Sequence, residues 1–440
     1  MTLGTDQKRA LEAALTPSMD EARYITGKAG TGKTTIEHEV KSRKRCIVLA
    51  PTGLAALGAG GTSFHKFFKF PTFPAPRHRM TENTRDVVRV VDKILIDETS
   101  MVRADLLDSM NKALQSAMES DRPFGGKDVI FFGDHWQLEP VVPEADEAFF
   151  EQRYVSPWFF DAHTFTRDSL FGAPAKINAI ELREVFRQRD GEFVTALNLI
   201  REGDAGGIAT LNDMAKVTSQ PDRGAVRLTF GRKRAEHVNL MMLERLTTEE
   251  RKFIAVIEGD LKLNEYPAPT ELNLRIGAQV MVSKNIETDF GPVANGQVGV
   301  VEDWSEDGYP IVFLRDERLV TIRDESWGQK DYKYDRDSDS IEEGGGGTFT
   351  QLPLKLAWAI TVHKAQGMTL DKAHLEAEME AFAHGQLYVA LSRVRTPEGL
   401  TMARKLSRRD LKVSSRVRDW HRETFHQTPA AVAQMMGAAK

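Results

Sequence analysis

The octapeptide Gly27-Lys28-Ala29-Gly30-Thr31-Gly32-Lys33-Thr34 fits the spacing G-x-x-x-x-G-K-[ST] and follows a short apolar run, Tyr24-Ile25-Thr26. A strand that ends in such a loop presents successive backbone N–H groups, freed by the glycines to curl around an anion. The lysine adds a point charge at the outer phosphates of a nucleoside triphosphate, and the threonine hydroxyl can ligate magnesium. With glycine near 7% of residues, a chance match in a chain of this size is on the order of one in a hundred. The loop therefore commits this stretch to a phosphate-binding α/β domain.

At 440 residues and 41% hydrophobic content the chain is too long for one ordinary core and rich enough for two or three. Its single cysteine, Cys46, lies in the apolar run Cys46-Ile47-Val48-Leu49-Ala50 and excludes a disulfide framework or a cysteine-based zinc site. The first residues carry no basic-then-apolar leader and no run of about 18 apolar residues occurs, so a cytoplasmic protein without a membrane span is expected. A net charge of −5 argues against binding nucleic acid by overall charge. Acids crowd residues 302–343, whereas Arg404, Lys405, Arg408, Arg409, Lys412, Arg416, Arg418 and Arg422 make the tail basic, a pattern that is more often a solvated helix face than a nucleic-acid site.

Short β-rich runs alternate with helix-like stretches from residue 23 to 142, the rhythm of a parallel sheet flanked by helices. This predicts a first domain over 1–172, with a small insertion near 71–89 whose loop, 71–79, is rich in proline and basic residues. A second α/β rhythm starts with Ala179-Ile180-Glu181-Leu182 and runs through Phe253 to Ile257, so a second domain is expected over 173–265 and again over 354–440. Between them, close-spaced strands with turn signals predict an inserted β-barrel over 266–353, with 331–347 as an acidic and Gly-rich mobile linker.

Two further strand ends carry chemistry. Lys93-Ile94-Leu95-Ile96 runs into Asp97 and Glu98, suited to hold magnesium and to deprotonate an attacking water respectively. Val129 to Phe132 leads into Gly133-Asp134-His135-Trp136-Gln137, whose Gln137 amide can contact a γ-phosphate or that water. Three polar strand ends in one half-chain point to a nucleotide site.

Read in order, these motifs resemble those of superfamily 1 DNA helicases. The run includes Ala50-Pro51-Thr52-Gly53-Leu54, Gly61-Thr62-Ser63-Phe64-His65, Val185-Phe186-Arg187-Gln188, Ala359-Ile360-Thr361-Val362-His363-Lys364-Ala365-Gln366-Gly367 and Gln386-Leu387-Tyr388-Val389-Ala390-Leu391-Ser392-Arg393. It is most similar to the Pif1-like group, superfamily 1B, in the branch that also holds RecD and Dda. Glu139 departs from that pattern, standing where a proline is frequent.

The resemblance implies two RecA-like parallel-sheet P-loop domains, a Src-homology-three-like barrel inserted in the second, and ATP with Mg2+ hydrolysed in the cleft between them. It assigns catalysis to Lys33, Asp97, Glu98, Gln137, Arg187 and Arg393, and magnesium to Thr34 and Asp97. Nucleotide contacts fall to Gln7 at the adenine edge, to Gly27, Ala29, Gly30, Thr31, Gly32, Lys33, Thr34 and Thr35, and to Gly367. DNA contacts fall to Pro51, Thr52, Thr62, Phe64, His65, Thr361 and His363, and loop 71–79 takes the place of a duplex-splitting wedge. It further implies a monomeric core motor moving 5′ to 3′ on single-stranded DNA and acting at single-strand/duplex junctions. An RNA helicase or a non-unwinding translocase uses the same motifs. A small-molecule kinase would need only the first half.

Overall fold

The computed structural model describes residues 3–18, 21–70, 80–166, 174–184, 191–259, 261, 266–328, 331–344, 347–376 and 381–425. The first domain is built on six strands: β1 (Glu21–Gly27), β2 (Cys46–Ala50), β3 (Thr62–Ser63), β4 (Lys93–Ile96), β5 (Asp128–Gly133) and β6 (Lys176–Leu182). They lie in the order β3-β2-β4-β5-β1-β6, every neighbour parallel. β4 and β5 are buried along their whole length, as strands covered on both faces must be, and this explains their unbroken apolar runs. Helices α1 (Thr5–Leu15) and α2 (Lys33–Lys41) cover one face through Ala10, Ala14, Ile36 and Val40. The helix Ala104–Met118 covers the other through Leu107, Met110 and Leu114. A buried charge cluster ties three strands together where Asp128 accepts from Arg23 at 2.6 Å and from Lys93.

β6 corrects the sequence reading, which gave it to the second domain. It pairs with β1 through seven residues, Glu21↔Lys176 to Gly27↔Leu182, and closes the first sheet. Its half-buried pattern is that of an edge strand, and alternation alone does not say which sheet an edge strand joins. The proline-rich loop 71–79 lies outside the described residues. The rest of the expected insertion is the helix Glu82–Val90, whose Val87 and Val88 are buried in the first core.

The second domain has its own parallel sheet, with Ala359–Thr361, Val226–Thr229, Ala373–Leu375, Leu400–Met402 and Lys216–Val217 side by side in that order. Inserted in it is an antiparallel body. Its larger sheet runs Leu319–Thr321, Pro310–Leu314, Val298–Trp304, Gln279–Val282 and Leu354–Leu356, closed over Val280, Val301, Val312 and Val320. This body is wider than 266–353. Arg251–Ile254 and Val256–Glu258 also pair antiparallel within it, and the parallel sheet resumes only at Ala359.

The acidic stretch read as a mobile linker is a hairpin, Asp331–Asp335 against Ser340–Gly344, docked on the first domain. Tyr332 is buried in the first core beside Phe67, its hydroxyl accepts from Val48 N at 3.1 Å, and its carbonyl accepts from Asn83 at 2.9 Å. Arg336–Asp86 (2.7 Å) and Lys66–Asp331 (3.2 Å) flank that anchor. Composition misled here because the acids are mostly solvated while Tyr332 and Tyr334, two apart, share the face that packs.

The basic tail returns to the first domain as the helix Ser415–Phe425. Trp420 stacks on Phe160 with centroids 4.4 Å apart, and Arg416 grips Asp161 at 2.6 Å. Arg404 is likewise paired, with Asp410 at 2.6 Å. Among the described residues no helix is long and apolar enough to cross a membrane.

Candidate active site in the interdomain cleft

The phosphate loop joins β1 to α2. Gly30 and Gly32 adopt φ of 83° and 82°, the left-handed backbone that lets neighbouring N–H groups converge, and the helix begins at Lys33. The Lys33 ammonium is turned onto the loop itself, donating to Gly27 O at 2.7 Å and Lys28 O at 3.2 Å, and burial lowers its pKa. Thr34 is exposed on the first turn of α2, with Thr35 half-buried beside it, and Ala29 and Thr31 are buried in the loop. Gln7 touches this loop through its own amide, donating to Thr31 O at 3.1 Å and accepting from Gly4 N at 2.9 Å. Its oxygen, expected at a base edge, is thus engaged in capping α1.

β4 delivers Asp97 and Glu98. Glu98 has a φ of 48°, a strained conformation for a non-glycine residue and one that collects at functional sites. Burial, and then Asp97, push the Glu98 carboxyl up to about 7, and burial raises Asp97 as well. A third acid was missed by the sequence reading: Glu37 on α2 is buried and pushed up to about 8 by burial and by Asp97. The signal was available, since a glutamate one turn after Thr34 lies on the same helix face. One buried carboxylate, Glu37, and two half-buried ones, Asp97 and Glu98, beside the exposed Thr34 hydroxyl suit a hard divalent cation, which Thr34 and Asp97 could hold. Among the described residues no group of three His, Cys, Asp or Glu could hold a metal ion by itself.

The second domain completes the site. Gln366 donates to Glu98 at 2.8 Å, and the Tyr388 hydroxyl lies 3.4 Å from Ala29 N in the phosphate loop. Neither was singled out from sequence, although both lie in the motif runs. Arg393 is buried, donating to Val389 O at 2.7 Å and to Ala365 O at 3.3 Å, and close enough to Glu98 to oppose its protonation. Gly367 has a φ of 78° on the same turn. Gln137 donates to Asp134 at 3.3 Å, and Asp134 accepts from Arg201 of the second domain at 3.0 Å, which helps hold its pKa at about 2 against the cost of burial. Glu139 accepts from His384 N at 3.5 Å across the same boundary. Arg187 lies outside the described residues.

The residues expected on the strand path divide. Pro51 is half-buried, and Thr52 is exposed as the N-cap of the helix Gly53–Ala59, accepting from Ala55 N at 3.1 Å. His65 is half-buried and His363 packs against the exposed ring of Phe382. Thr361 is buried and accepts from Lys364 N at 3.2 Å. Phe64 is corrected: it is wholly buried in the first core, because a helix start packed under β3 turns it inward. Thr62 is buried too, and its hydroxyl has no hydrogen-bond partner among the described residues.

Beside this site His135 is wholly buried, its Nδ1 3.2 Å from the Tyr24 hydroxyl and its Nε2 3.0 Å from His421. Burial, then Arg201, push its pKa well below the usual histidine range, so the imidazole is neutral in the fold. The unfolded chain binds that proton near pH 6.5 and the fold does not. Stability from this site is therefore complete above that pH and lost below it, by up to about 1.4 kcal/mol per unit. Calorimetric Tm values should fall from pH 6.5 to 5.5, and fall less in His135→Gln; equal slopes would remove His135 from the account.

A model of the PIF1-like helicase family matches residues 2–158. ATP-dependent DNA helicase PIF1 of Danio rerio is 32% identical over 418 residues, covering 90% of this chain and 60% of that protein. The crystal structure of Bacteroides sp. Pif1 in complex with ADP-AlF4 superimposes with a TM-score of 0.84 at 32% identity, covering 96% of this chain and 97% of that one. The chain belongs to the PIF1-like helicase family. It spans about 60% of the length of the curated Pif1 relatives it matches first. Bacteroides Pif1 bound to single-stranded DNA scores 0.66 at 30% identity, covering 96% of this chain and 97% of that one.

Proposed function

We propose that this chain is an ATP-dependent DNA helicase that hydrolyses Mg-ATP between its two parallel-sheet domains and moves 5′ to 3′ on single-stranded DNA, opening duplexes at junctions. The observation that carries this reading is the 2.8 Å bond from Gln366 to Glu98. It makes the hydrolytic acid of the first domain a shared possession of both. The turn that supplies Gln366 also holds Thr361 and His363, so a strand gripped by those residues and the acid that governs hydrolysis sit on one short segment. Movement of that segment couples strand to hydrolysis.

In this cycle Lys33 exchanges the carbonyls of Gly27 and Lys28 for phosphate oxygens. Thr34 and Asp97 would hold a magnesium ion, whose charge would offset that of the phosphates. Glu98, oriented by Gln366, takes the proton of the attacking water, and Gln137 positions that water. Arg393 and Arg187 supply positive charge from the second domain when the cleft closes. The Bacteroides relative, crystallised with ADP-AlF4 and with single-stranded DNA, supports the same ligands here. A strand-displacement assay on duplexes with a single 5′ or 3′ tail tests the reading. We expect unwinding from the 5′ tail; unwinding from the 3′ tail alone would reverse the polarity, and none from either would leave a translocase.

A further inference from the structure

The buried charge pair between Arg201 and Asp134 lies outside the roles assigned above, and it joins the two domains. Arg201 sits on the helix Gly191–Glu202, whose Phe193, Leu197 and Ile200 are packed in the second core, and its own side chain is 1% exposed. Asp134 follows β5 of the first domain and is 2% exposed. One carboxylate oxygen of Asp134 accepts from Arg201 Nη2 at 3.0 Å and Nε at 3.3 Å, and also from Trp136 N at 3.2 Å. The other accepts from the Gln137 amide at 3.3 Å. The guanidinium lies over the Trp136 ring at 5.7 Å, with Glu181 of β6 at 3.8 Å.

The loop that carries Gln137 is seated in both cores, with Trp136 in the first. Leu138 belongs to the second core, and a Cβ on Gly385 would meet Gln137 O at 2.4 Å. The Gln137 side chain is therefore aimed by a carboxylate that is itself oriented from across the cleft. We propose that Arg201 is a positioning residue: through Asp134 it fixes Gln137 for hydrolysis, so that the placing of this glutamine depends on how the second domain sits. The inference rests on the ATPase reading above. A lysine cannot replace the planar fork, because it presents one rotating ammonium where Nε and Nη2 act together.

The test is Arg201→Lys, with Gln137→Ala and the double variant, all normalised to sites titrated with fluorescent ADP so that misfolded protein is not counted. With single-stranded DNA present, Arg201→Lys should lower kcat roughly tenfold while KM for ATP stays within about twofold. Adding it to Gln137→Ala should cost less than about twofold more, because both act through one group. Losses that multiply, or wild-type kcat in Arg201→Lys with only Tm reduced, would overturn the proposal and leave a purely structural bridge. Asp134→Asn, which keeps the shape and removes the charge, should repeat the kcat loss, and a normal kcat there would also overturn it. A wild-type chain that turns over no ATP would instead bring down the ATPase reading, and this inference with it.

Discussion

Replacing Lys33 with alanine should reduce ATP turnover to background, a loss on the order of 10³-fold, with the fold intact. The ammonium bonds to two carbonyls of its own loop, at Gly27 and Lys28, while the start of α2 is fixed by the Gly30 and Gly32 backbone and by Ile36 and Val40 in the core. What disappears is the charge held between loop and acids, which is needed only when phosphate arrives. Phosphate release and Tm, measured together, separate the two effects. Normal turnover in that variant would strip the loop of its role.

Glu98→Gln should lower turnover by about 10²–10⁴-fold and leave nucleotide binding close to wild type. The amide is isosteric, and its oxygen can still accept from Gln366, so the link between domains survives. The capacity to take a proton does not. Binding of a fluorescent ATP analogue together with single-turnover hydrolysis would distinguish this from a binding defect. A hydrolysis rate near wild type would move the general base elsewhere, with buried Glu37 the next residue to examine.

The first-domain half of the site was legible because its chemistry is local. A phosphate loop, the acids after β4 and the glutamine after β5 are each fixed by the few residues around a strand end, and a parallel sheet brings such ends to one edge. The second-domain half was legible only as motifs. That Gln366 rather than a neighbour reaches Glu98, that Tyr388 meets the loop, and that Arg201 holds Asp134 depend on how two separately cored domains sit together, which no spacing encodes. The fold failed to read where pattern and partner diverge. β6 has a strand's pattern but its partner lies in the other domain's sheet, and the acidic composition of 331–344 hid a tyrosine anchor. Phe64 illustrates the same limit at one residue, since aromatics beside lysines suit a stacking surface and a core equally well until burial decides.

The central claim is that hydrolysis belongs to both domains and is governed by the strand that passes across them. Steady-state ATP turnover of the purified chain, measured with and without saturating single-stranded DNA and with RNA of the same sequence, tests it most directly. The account predicts stimulation by DNA of roughly tenfold or more and a weaker response to RNA. Turnover indifferent to any nucleic acid would contradict it.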